Sequence, residues 1–239
     1  MTTAIDPSPT VDPFTAERQS ARISINKLGE YLSAGPTRRR TILTEQRNPR
    51  VFQVTWYRWA ERAIRSFLVD HLDDAEHFLA ERERIAQLEI TSRHDEVRQS
   101  TNLAAMDAFM AVLPELPIDG ASMFAAHDDA PHVSFGGVEV SVRPEVILTG
   151  ANSKGLPRVG ALKLFLSQSH PLDDTTGLYV AAVLHQFAEE HLTDHGVADP
   201  QLCIVVDVFQ RKFWTAPRHY KRRVQDIDAA CEEIAAMWG

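Results

Sequence analysis

The sequence predicts an α/β protein: a small mixed sheet flanked by helices, carried behind a helical N-terminal subdomain. Three observations predict it. Apolar residues recur at helical spacing through most of the stretch from Ser24 to Leu113. The period then changes to two across residues 132–142. Short apolar runs follow on either side of one long helical pattern at Thr176 to Thr193, and a helix between sheet strands implies a crossover, hence mixed or parallel pairing. The expected division is a disordered tail at 1–20, a helical subdomain at 21–117 and an α/β core at 118–239.

Each element has a local reason. Residues 1–15 hold three prolines and no apolar run, so they read as tail rather than as a secretion signal. Ser24 is placed to cap a short helix through Leu28, Tyr31 and Leu32, which Gly35-Pro36 ends. A second short helix covers Thr37 to Gln46, up to the break at Asn48-Pro49. A third, from Val54 to Leu72, puts Trp56, Ala60, Ala63, Ile64 and Phe67 on one face. A fourth falls within residues 73–90. Ser92 and Asp95 form a capping box for a fifth, which Pro114 and Pro117 terminate.

In the second half, His132 to Phe135 and Val138 to Val142 alternate about Gly136-Gly137, the composition of a hairpin with a primed turn. Glu145 to Leu148 and Gly160 to Leu166 read as further strands, with a loop from Gly150 to Pro157 between them. A helix from Thr176 to Thr193 ends before Gly196. Ile204 to Phe209 is another strand, with Lys212 to Thr215 returning as a hairpin. Pro217 suits the first position of a last helix bearing Tyr220, Val224, Ile227, Cys231, Ile234 and Trp238.

Bulk composition narrows the function classes. A chain of 239 residues, 44% apolar and 24% charged, buries a sizeable core without disulfides. Its two cysteines, Cys203 and Cys231, read as small core residues, and a reducing cytoplasm is the expected compartment. No apolar run reaches the ~20 residues that span a membrane. The net charge of −8 argues against a continuous basic surface, because phosphate contacts dominate nucleic-acid affinity. Two local basic patches stand out: Arg38, Arg39 and Arg40, and a second running from Arg211 and Lys212 through Arg218, Lys221, Arg222 and Arg223.

The residues that carry chemistry sit in two strand-like runs. Arg143-Pro144-Glu145-Val146-Ile147-Leu148 is the first and Val159-Gly160-Ala161-Leu162-Lys163-Leu164-Phe165 the second. Strand positions bounded by Val, Ile, Leu and Phe are interior, and an interior lysine needs an anion. Glu145 supplies one if the strands are neighbours. On these residues the chain resembles the PD-(D/E)XK nuclease superfamily, whose core is a helix, a β-meander, a helix and a further strand. Pro144-Glu145 stands where that family has Pro-Asp, and Ala161-Leu162-Lys163 where it has (D/E)-x-K. Ile23 to Pro36 is similar to the leading helix of RecB-like and CRISPR-associated exonucleases, with Ala34 near the position of an iron–sulfur cysteine.

The resemblance implies a restriction-endonuclease-like core and a DNA phosphodiester as substrate. It implies Glu145 and Lys163 as catalytic residues, and Mg2+ or Mn2+ held by Glu145. It also implies the consequence of Ala161: one carboxylate ligand is missing. Glu96, Glu139 and Asp207 are the acids placed to replace it, and without replacement the metal is held poorly and activity is weak or absent. Each residue has a structural reading too. Glu145–Lys163 serves as an ion pair, Glu139 faces solvent, Glu96 favours a helix N-terminus, and Asp207 caps the turn at Gln210. The arginines of the first patch line a solvated helix face, and Asp226, Asp228 and Glu232 offset the second. The two functions that follow are metal-dependent DNA cleavage, and a non-catalytic nuclease-fold module that binds a partner protein or a nucleic-acid end.

Overall fold

A computed structural model describes residues 18–49 and 56–238. The expected tail lies outside the described residues up to position 17, as do Val54 and Thr55 at the start of the expected third helix. The chain is an α/β protein with two mixed sheets, one of three strands and one of five.

The N-terminal elements follow their caps. Strand β1 (Arg22–Ser24) runs into α1 (Ile25–Ser33), and the Ser24 side chain accepts from the Lys27 N–H as an N-cap. Pro36 opens α2 (Pro36–Arg47). Next come α3 (Arg58–Asp70) and α4 (Ala75–Ala86), then α5 (Arg93–Val112), capped by Ser92 and closed by a 3-10 turn at Leu113–Glu115. Strand β2 (Ser122–Ala125) follows, and then the expected hairpin, β3 (His132–Phe135) and β4 (Val138–Ser141). Gly136 and Gly137 turn it with φ of 50° and 79°, the two positive values a type I′ turn requires.

Strand β5 (Val146–Ala151) and β6 (Pro157–Phe165) are longer than their apolar runs. The loop between them shrinks to residues 152–156, where Asn152 Oδ1 accepts from the Lys154 and Leu156 N–H groups at 2.9 and 3.0 Å. Helix α6 (Asp174–His191) crosses over to β7 (Val197–Asp207), β8 (Lys212–Thr215) returns, and α7 (Lys221–Trp238) ends the fold. The last helix starts four residues after Pro217. Its first bond runs from Val224 N–H to Tyr220 C=O, and the Tyr220 hydroxyl is held by both Glu189 oxygens at 2.8 Å, which fixes the chain before the helix begins.

The hairpin does not join the strands that follow it. It pairs instead with β1, which lies parallel to β4, in the order β1-β4-β3. The larger sheet has the order β2-β5-β6-β7-β8: β2, β5 and β6 form an antiparallel meander, β7 runs parallel to β6 after the α6 crossover, and β8 is antiparallel to β7. One face of that sheet, with Val146, Leu148, Leu162, Leu164, Ile204 and Val206, packs on α3, α4 and α5. The other face, with Ala161, Cys203 and Val205, shares its core with α6, α7, the small sheet and helices α1 and α2. Residues 22–47 therefore pack with the second half of the chain rather than with α3–α5. Among the described residues no helix is long and apolar enough to cross a membrane.

Candidate functional site

The site forms where the chain leaves β4 and enters β5. Arg143 takes a left-handed turn at φ 42° and Pro144 is buried, which delivers Glu145 to the start of β5. Because Val146 pairs with Leu162 and Ile147 with Ala161, the same register sets Glu145 opposite Lys163. The Lys163 Nζ donates to Glu145 Oε1. Glu145 Oε2 accepts from the Leu164 backbone N–H at 2.6 Å, satisfying a β6 amide where the partner strand has ended. Main-chain bonds hold the residue on both sides, from Glu145 N–H to Leu162 C=O at 3.0 Å and from Ala126 N–H to Glu145 C=O at 3.2 Å.

Both side chains are interior, with 4% of Glu145 and 8% of Lys163 exposed. Burial pushes the Glu145 carboxyl above the usual carboxylate range. Lys163 pulls the other way, and the Glu61 carboxylate on α3 adds to the upward push. Lys163 is thus the partner that makes a buried charge tolerable at Glu145. Its β7 neighbour is Val205, and Ala161, fully buried two residues before it, presents only a methyl group on the same side of the strand.

The other acids are elsewhere. Asp207, fully buried at the end of β7, accepts from the Leu172 N–H at 2.9 Å, the Gln210 N–H at 3.1 Å and the Gln210 side-chain amide at 2.9 Å. It caps the β7–β8 turn and ties it to the segment before α6. Glu96 is exposed in the first turn of α5, where an acid suits the helix dipole. Glu139 is exposed on β4. Among the described residues no three His, Cys, Asp or Glu side chains converge as a metal site would require. Mg2+ takes octahedral oxygen ligands at short range. Here the Glu145 carboxylate has both oxygens engaged, and the position two before Lys163 is an alanine. These residues do not fit Mg2+ or Mn2+.

The two basic patches differ. Arg38 is taken up inside the fold by Glu30 at 2.6 Å and Glu45 at 3.0 Å. Arg39 bonds the Tyr31 carbonyl at 3.1 Å, lies over the Tyr31 ring and meets Glu233 at 3.5 Å. Only Arg40 of that run is exposed. In the second patch Arg218, Lys221 and Arg222 are exposed, and Arg223 lies over the Tyr179 ring at 6.0 Å. The first turn of α7 contains no acid.

Three buried polar groups escape a reading of the sequence alone. Glu30, on the inner side of α1, collects Lys27 at 2.8 Å and Arg38, with the His170 ring at 3.5 Å; burial pushes its carboxyl up, but the hydrogen bonds from Lys27 and Arg38 outweigh it and hold it below the ordinary range. An acid at an inward position of an apolar helix is the signal that finds it. His185 is 2% exposed on α6, against the Tyr220 ring at 4.5 Å and Glu189 at 3.7 Å, and burial lowers its pKa. Asp199 is buried and ion-paired with Arg158. No protein-family model matches this chain, and no curated protein matches it either.

Proposed function

We propose that this chain is a non-catalytic module built on the PD-(D/E)XK nuclease core, one that binds nucleic acid without cutting it. The order of elements supports the core: helix α5, the β2-β5-β6 meander, helix α6, then β7 beside β6. Glu145 and Lys163 oppose each other on the second and third of these strands, the places the family gives to its first acid and its lysine. One observation carries the loss of catalysis. The Glu145 carboxylate is engaged by Lys163 on one oxygen and by the Leu164 amide on the other, beside Ala161 where a second acid would complete the ligand set. An ion generates its nucleophile only when it is held with a site open for water.

The test is cleavage of linear duplex and single-stranded DNA with Mg2+ and with Mn2+, run beside a binding assay on the same oligonucleotides. The expected result is binding that weakens steeply with salt and no metal-dependent cutting. Robust cleavage that either Glu145→Ala or Lys163→Ala abolishes overturns the proposal. Salt-insensitive binding to a protein, with none to DNA or RNA, replaces nucleic acid by a protein partner.

A further inference from the structure

The outer face of the three-stranded sheet is unlike the rest of an acidic molecule. Alternation turns Ile23, Val133, Phe135, Val138 and Val140 into the core and leaves Arg22, His132, Glu139 and Ser141 on the outside. The register aligns Arg22, Glu139 and Ser134 in one row, and Ser24, Ser141 and His132 in the next. With strands about 4.8 Å apart, this face is about 10 Å wide from β1 to β3. Arg143 leaves β4 two residues beyond Ser141, exposed and in the left-handed region at φ 42°. Arg18 approaches from the preceding segment, where its Nη1 donates to the Gln46 carbonyl at 3.3 Å.

Arg22 and His132 thus lie on this face and Arg143 and Arg18 flank it, with one carboxylate, Glu139, on the same strands. The Arg22 Nε is buried and has no hydrogen-bond partner. Burial lowers the Arg18 pKa, and Arg22 and Arg143 lower it further. His132 is lowered by burial and then by Arg22, Arg143 and Arg18, with Glu139 opposing. A left-handed arginine is strained, and strain of this kind clusters at functional sites. Cations gathered against their own repulsion, one of them on a strained backbone, form a receptor for an anion.

We propose that this face is a phosphate site that holds the backbone of a nucleic-acid strand, with Arg22 and Arg143 supplying the guanidinium contacts. The strand as ligand rests on the nucleic-acid reading above; the phosphate site does not. The experiment measures fluorescence anisotropy of a short labelled single-stranded DNA across a salt series, using the full chain. Arg22→Gln and Arg143→Gly should each bind about three- to tenfold more weakly, with the slope of log K against log salt reduced by about one. Arg143→Gly should also melt no lower than wild type, because glycine adopts this φ freely. Arg82→Gln, which removes a guanidinium already paired with Asp107 at 2.6 Å, should bind DNA as wild type does. Wild-type affinity and slope in both face variants overturn the proposal and leave nucleic-acid binding to the α7 patch. A second titration uses sodium pyrophosphate, followed by the His132 imidazole resonances. If these shift in wild type and not in Arg143→Gly, while DNA and RNA fail to bind, the phosphate site stands and the nucleic-acid reading falls. No response to pyrophosphate or to either nucleic acid overturns both.

Discussion

At the scale of residues the centre of the molecule is one buried pair. Two charges leaving water lose several kcal/mol of solvation each, so the pair adds little by existing; breaking it is what costs, about 3–5 kcal/mol. Lys163→Met should therefore destabilise the fold by about that much, and Glu145→Gln with Lys163→Met together by less than the two single changes combined, as measured by denaturant unfolding. The loss should depend on pH with a definite sign. Burial already raises the Glu145 carboxyl, and removing Lys163 takes away the pull that opposes it. A carboxyl whose folded pKa lies above its unfolded value of about 4.3 favours the folded state below that value and loses the benefit as pH rises through the folded pKa. The variant should approach wild type near pH 4 and fall behind as the pH is raised; a gap that is constant or shrinks with rising pH shows that Lys163 does not set the Glu145 charge. This pair was legible in the sequence because a lysine between Leu162 and Leu164 demands an anion. The second partner of Glu145 was not legible, since an amide orphaned by the end of a strand leaves no trace in side-chain identity.

At the scale of elements, caps and turns carried most of the information. Ser24, Ser92 and Gly136-Gly137 each marked a boundary that the fold uses, because a cap or a primed turn is decided within four residues. Strands whose partners lie far away in the chain were harder to see. β1 is three residues long and pairs with a strand more than a hundred positions later, and β2 is short and mostly exposed. β7 begins at Val197, well before the expected Ile204, because a register shift opposite Gly160 absorbs residues 199–202. The hairpin turn gives the test at this scale. A Cβ on Gly136 would lie 2.5 Å from the Asp228 carbonyl oxygen and 2.7 Å from the Glu232 nitrogen, both backbone atoms of α7, whereas one on Gly137 finds Ala235 Cβ at 4.0 Å. Both glycines have positive φ, so Gly137→Ala should cost about 1–2 kcal/mol from backbone strain alone. Gly136→Ala should cost clearly more, because α7 must shift and the bond from the Gly136 N–H to Asp228 Oδ1 at 3.1 Å is disturbed. Equal losses in thermal unfolding would mean that the hairpin is not seated on α7.

At the scale of the whole molecule the question is whether residues 21–117 and 118–239 fold apart. The five-stranded sheet has a core on each face, and the two cores do not divide the chain at 117: α1 and α2 join β3, β4, α6 and α7 on one side, while α3–α5 cover the other. Tyr31, Ile23, Ile25, Leu28 and Ile42 are all at most 1% exposed, and each such side chain contributes about 1.5–3 kcal/mol by leaving water. Five of them match the whole stability of a typical domain, about 5–15 kcal/mol. The Trp238 indole reinforces the link by donating to the Arg18 carbonyl at 3.2 Å, closing the C-terminal helix on the first described residue. A fragment starting at residue 118 should therefore lack cooperative unfolding and expose apolar surface. The full chain should unfold in one transition. Trp59, beside the α3–α5 core, and Trp214, beside the α6 core, give separate reporters when the other tryptophans are changed to Phe. Their midpoints in guanidinium chloride should coincide with each other and with loss of helical circular dichroism. Because the sheet strands are shared by both cores, neither can melt while the other keeps its partner surface; two separated midpoints, or a folded 118–239 fragment, would show that the sheet is held by one core alone.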